Sequence, residues 1–227
     1  MKVKLLLGCV IALPLFAWAA SASKDLAQVL AGKPDESRGA QLFQQCVSCH
    51  GADGGGEVSG SVPRIAGQHY RVLARQIVDF RHGKRWDFRM EGVATSHKVL
   101  PKLSDITDVA WYVSTLDRDG ARGVGDGHHV EKGAAIYGAQ CASCHGVHGE
   151  GNDSKQIPIL AGQHAAYLAR QIYDAVDGRR PRLENSHGKR FAPLEFEDVR
   201  GLTDYLSRLG WRDGVVAPAA EAPRASP

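Results

Sequence analysis

Cys46-Val47-Ser48-Cys49-His50-Gly51 and Cys141-Ala142-Ser143-Cys144-His145-Gly146 are the two stretches that decide how this chain is read. Two thiols at this spacing can add to the two vinyl groups of one porphyrin, while the imidazole of the next residue reaches the iron. The competing readings are a disulfide or half of a zinc site. Histidine follows both pairs, however, and the only other cysteine, Cys9, lies in the apolar N-terminal segment, so a zinc site would lack further thiol ligands. The chemistry therefore points to two covalently bound haem c groups, on Cys46 and Cys49 and on Cys141 and Cys144, with His50 and His145 as the iron ligands next to the thioethers.

The two motifs stand 95 residues apart, and the same offset relates Ala66-Gly67-Gln68-His69 to Ala161-Gly162-Gln163-His164 and Leu73-Ala74-Arg75-Gln76-Ile77 to Leu168-Ala169-Arg170-Gln171-Ile172. Repetition at a fixed interval over several segments marks a duplicated unit. Within each copy apolar residues recur at helical spacing: Tyr70, Leu73, Ala74 and Ile77, then Ile106, Val109, Ala110 and Val113; in the second copy Leu168, Ala169 and Ile172, then Val199, Leu202, Leu206 and Leu209. The pattern predicts short helices around a loop-rich middle, with Ser104-Asp105 capping the last helix of the first copy. The glycine-rich run from Asp119 to Gly127 reads as a linker, and the Ala/Pro-rich end as a disordered tail. The expected layout is a signal peptide at 1–22, units at 23–118 and 129–211, a linker at 119–128 and a tail at 212–227.

With these residues the chain resembles the class I cytochromes c, and in particular the two-domain cytochrome c4 type, over roughly residues 36 to 211. The resemblance rests on both Cys-x-x-Cys-His motifs, Pro63 and Pro158, the Ala-Gly-Gln segments, and Tyr112 and Tyr205. It implies an all-α fold of two tandem class I cytochrome c domains, prolines that support the ligand histidines, and periplasmic transfer of single electrons between redox partner proteins. Arg75 and Arg170 are candidates for a haem propionate or for surface ion pairs.

The second axial ligands are where the chain departs from that family, which supplies a methionine to each iron after a glycine such as Gly83 or Gly178. Only Met1 and Met90 exist. Met90 follows Gly83 by seven residues and is the first choice for the first iron. His97 is its rival: Met90 lies 22 and His97 15 residues before Tyr112, and the family spacing falls between. The corresponding stretch of the second copy, from Gly178 to Leu194, has no methionine, and His187, 18 residues before Tyr205, takes the place. His69 and His164, at matching helix starts, read as structural, and His128, His129 and His148 as solvated.

Lys2 and Lys4, the apolar run from Leu5 to Trp18 and the small residues Ala20-Ser21-Ala22 have the layout of a secretory signal peptide, with cleavage expected after Ala22, or else Ala19. The run is shorter than the ~20 residues of a spanning helix. Without these residues the formal charge falls from +3 to about +1, which removes the electrostatic basis for nucleic-acid binding. Two fully ligated irons suit a carrier. The alternatives are a two-haem redox enzyme of the peroxidase or sulfur-compound dehydrogenase type, and a cytochrome subunit of a larger oxidoreductase, including one held peripherally at a membrane. The lack of a further cysteine as an iron ligand counts against the sulfur-oxidising type.

Overall fold

The computed structural model describes residues 14–210. Lys2, Lys4, Cys9 and the tail at 212–227 lie outside the described residues. Helices α1 (Pro14–Ala31), α2 (Glu36–Phe43), α3 (Val47–His50), α4 (Tyr70–Arg81), α5 (Phe88–Thr95) and α6 (Leu103–Thr115) build the first unit. Helices α7 (Val130–Gln140), α8 (Ala142–His145), α9 (Ala165–Val176), α10 (Pro181–Phe191) and α11 (Phe196–Arg208) build the second. The described residues hold no β-strand, and the bridge with both ends among them joins Asn152 and Ile157, so the all-α expectation holds. No described helix is long and apolar enough to cross a membrane.

Each unit buries its own core. Phe43, Leu73, Val78, Ile106, Val109 and Val113 close the first; Tyr137, Leu168, Ile172, Val199, Leu202 and Leu206 close the second. In both, the first and last helices of the repeat cross where a glycine lets the backbones meet: a Cβ at Gly39 would lie 2.3 Å from Asp108 O, and one at Gly133 would lie 2.0 Å from Gly201 O. One turn further along, an aromatic pair locks each crossing, Phe43 with Tyr112 at 5.5 Å between centroids and Tyr137 with Tyr205 at 5.7 Å. Asp105 is the residue that secures the start of α6, accepting from Lys102 N at 2.8 Å and pairing with Arg38. It sits inside the first turn rather than ahead of it, and Ser104 plays no part in the cap.

The first unit has an extra element, because α1 runs through position 22 and packs on α4 and α6. Val29 is buried, and its carbonyl accepts from Tyr70 Oη at 3.1 Å and Thr107 Oγ1 at 2.9 Å.

The segment 119–128 has no regular structure, yet it is pinned along its length. Gly120 O and Ala121 O accept from Arg64, Gly123 N donates to His164 Nδ1 at 3.0 Å, and Gly125 O accepts from Arg208 at 2.7 Å. Its glycines answer crowding as well as bending: a Cβ at Gly123 would come within 1.8 Å of Val58 O.

The units meet about an approximate two-fold relation, made by the residues that repeat outside the haem motifs. His69 Nε2 binds Glu150 O at 2.9 Å and His164 Nε2 binds Gly55 O at 2.8 Å. Arg85 and Arg180 each contact both Gln76 and Gln171. Arg75 binds Gln156, and Arg170 binds Ser61 O at 3.2 Å, so both arginines face the other unit rather than a surface carboxylate.

Candidate functional site

Each Cys-x-x-Cys-His motif winds into one short helix, α3 or α8, which ends at the histidine because Gly51 (φ 77°) and Gly146 (φ 82°) turn the chain through the left-handed region. This geometry puts the first thiol half-buried, the second exposed and the imidazole buried. Burial, reinforced by Cys49, pushes the Cys46 thiol up to about 11, and burial raises Cys141 as well. All four thiols are free of disulfides. No group of three or more His, Cys, Asp or Glu among the described residues is placed to hold a metal ion.

His50 Nδ1 lies 3.1 Å from Pro63 O, and His145 Nδ1 lies 3.2 Å from Pro158 O. A carbonyl can only accept, so Nδ1 carries the proton and Nε2 keeps its lone pair. Burial lowers the pKa of both rings, against the opposing pull of those carbonyls, which keeps them neutral. A neutral imidazole fixed by an outer hydrogen bond is what a metal-ligating histidine requires.

On the opposite side the two units differ. In the second, α10 brings His187 to His145 with ring centroids 6.0 Å apart, and Phe191 stacks on His187 at 5.2 Å. Imidazole–metal bonds of about 2 Å would place two rings on opposite sides of one ion at a centroid separation of about 6 Å, so this spacing fits a shared iron. Burial first, then His145 and Arg190, press His187 down to about 4 and hold it neutral. In the first unit Met90 is half-buried in α5, whose first turn lies close enough for the charges of Arg89 and Asp87 to act on His50. His97 is exposed in the turn beyond α5. His128 and His148 are exposed as expected, whereas His129 is half-buried and pairs with Glu197 at 2.9 Å.

Sequence reasoning missed the interface role of Gln68, Gln163, Arg85 and Arg180. For the two glutamines the signal was present in the repeated Ala-Gly-Gln-His segment, but a repeat does not say which surface it serves.

Helical units closed by the crossing of their first and last helices, each around a Cys-x-x-Cys-His turn with its histidine held by a proline carbonyl, define a two-haem cytochrome of the c type. The family model for cytochrome c matches residues 36–117 and 130–210. Cytochrome c4 of Pseudomonas aeruginosa is 30% identical over 187 residues, covering 77% of this chain and 89% of that protein. The crystal structure of reduced recombinant cytochrome c4 from Pseudomonas stutzeri superposes with a TM-score of 0.69 at 29% identity, over 78% of this chain and all of that one. A thiosulfate dehydrogenase electron acceptor of Stutzerimonas stutzeri is 29% identical, over 74% of this chain and 80% of that protein. The chain belongs to the cytochrome c family, in its two-domain cytochrome c4 type. It carries two covalently bound haem c groups and transfers electrons between redox partner proteins; it is a carrier rather than an enzyme.

Proposed function

We propose that this carrier works in the periplasm with two unlike irons, the first held between His50 and Met90 and the second between His145 and His187. The observation that carries the reading is the 6.0 Å separation of the His145 and His187 rings. The half-buried position of Met90, against the exposure of His97, supports Met90 on the first iron. When bound, each haem supplies a one-electron iron couple. The chain's own part is to fix both axial ligands, exclude water from the iron and hold the two units in one orientation. Carbon monoxide tests it: the reduced protein should bind none on mixing, and rapid binding would mean an open iron and favour the enzyme alternative.

Export with cleavage after Ala22 leaves residues 23–31 to form the part of α1 that carries Val29. Mass spectrometry of the mature protein should give Ser23 as its first residue; a mature chain beginning at Met1 would overturn it. The thiosulfate dehydrogenase electron acceptor among the relatives favours a more specific reading of the donor, a sulfur-compound dehydrogenase. Reduction of the purified carrier by such an enzyme and its substrate would test that directly, and no reduction would exclude it.

A further inference from the structure

Two peptide groups serve the ligand histidines and the domain interface at once. The peptide joining Pro63 to Arg64 offers its carbonyl to His50 Nδ1 at 3.1 Å and donates its N–H to Gln163 Oε1, in the other unit, at 3.0 Å. The peptide joining Pro158 to Ile159 offers its carbonyl to His145 Nδ1 at 3.2 Å and donates its N–H to Gln68 Oε1 at 2.9 Å. Each glutamine completes its grip by donating Nε2 to the next carbonyl, Gln163 to Arg64 O at 2.8 Å and Gln68 to Ile159 O at 3.0 Å. Gln68, Gln163, Arg64 and Ile159 are all buried, so water does not compete for these bonds.

We propose that Gln163 and Gln68 are positioning residues that tune the ligand histidine of the opposite unit, Gln163 acting on His50 and Gln68 on His145. An amide whose N–H is engaged polarises, and its carbonyl becomes a stronger acceptor. A stronger acceptor at Nδ1–H makes the imidazole a more basic ligand. Hydrogen bonding around the axial ligand is one of the levers by which a protein sets the iron's potential, and the more basic imidazole favours oxidised iron. Docking of the two units therefore lowers the potential of each haem through a residue of the other. The inference rests on the reading of His50 and His145 as iron ligands.

The test uses Gln163→Leu and Gln68→Leu in the complete two-haem protein, with both potentials measured spectroelectrochemically and the ¹⁵N resonance of each ligand Nδ1 recorded in the reduced state. Gln163→Leu should raise the first haem's potential and move the His50 Nδ1 resonance, leaving the second haem where it was. Gln68→Leu should do the reverse. Gln163→Ala and Gln68→Ala repeat the measurement if a leucine variant does not fold. Potentials that stay put, that shift in the mutated unit, or that move together in either variant would overturn the proposal, the last because general loosening of the interface has no preference for one iron. Loss of the low-spin spectrum of the first haem in His50→Ala, and of the second in His145→Ala, checks the ligand reading separately. If those spectra survive, the ligand reading fails; if they are lost while the crossed shifts are absent, only the relay fails.

Discussion

On the ligand assignment we propose, the difference between the two irons depends on two single side chains, Met90 and His187. Methionine opposite histidine raises the potential of a haem iron, whereas a second imidazole favours the oxidised state. Met90→His should lower the first potential and abolish the methionine-to-iron charge-transfer band, read by optical titration; an unchanged band would remove Met90 from the site. His187→Ala should let carbon monoxide reach the second iron, which stopped-flow mixing would detect, while His97→Ala, at an exposed turn, should alter neither haem. The thiols and the adjacent histidines were readable from sequence because covalent attachment fixes their spacing. His187 was proposed by elimination and by its distance from Tyr205, and the structure sets its ring 6.0 Å from that of His145. The work of Gln68 and Gln163 was not readable, since their partners stand 91 and 99 residues away along the chain.

Between α7 and α11 a single hydrogen atom separates a tight crossing from a clash. Gly133→Ala would place a methyl group 2.0 Å from Gly201 O, a backbone atom that cannot swing aside. Thermal unfolding should show a loss at the upper end of the ~1–3 kcal/mol range for overpacking, or beyond it. Gly138→Ala, on the same helix with nothing within 4 Å, should instead stabilise by about 0.5–1 kcal/mol. Equal effects at the two glycines would mean that helix propensity, rather than close approach, governs this element. The apolar periodicity of α4, α6, α9 and α11 made those helices legible, because each buries one stripe. Helix α10, with the sequence Pro-Arg-Leu-Glu-Asn-Ser-His-Gly-Lys-Arg-Phe, marks its inner face with only Leu183, His187 and Phe191, too few apolar residues to stand out, and was read only as part of a loop-rich middle. Its start is favoured by Pro181 in the first turn, a local signal that apolar spacing does not register.

At the scale of the whole molecule, the repeated segments are explained by a two-fold interface, and the glycine-rich linker by how closely it runs along both units. Its glycines were legible as a connection, but composition could not distinguish a loose tether from a pinned one. His164 gives this arrangement a pH dependence. Its ring is buried, Nδ1 accepts from Gly123 N, Nε2 donates to Gly55 O, and burial with Arg64 and Arg118 nearby lowers its pKa. The folded chain thus refuses a proton that the unfolded chain accepts below about pH 6.5, so the contribution is whole above that pH and lost as pH falls. Melting temperatures of the holoprotein should drop more steeply with acid than those of His164→Gln, and parallel curves would remove His164 as the cause. The most direct test of the account is a spectroelectrochemical titration of the mature protein with haem stoichiometry. Two haems per chain should titrate in two separated one-electron steps, with a methionine band belonging only to the haem of higher potential. A single haem, or two haems both showing a methionine band, would contradict it.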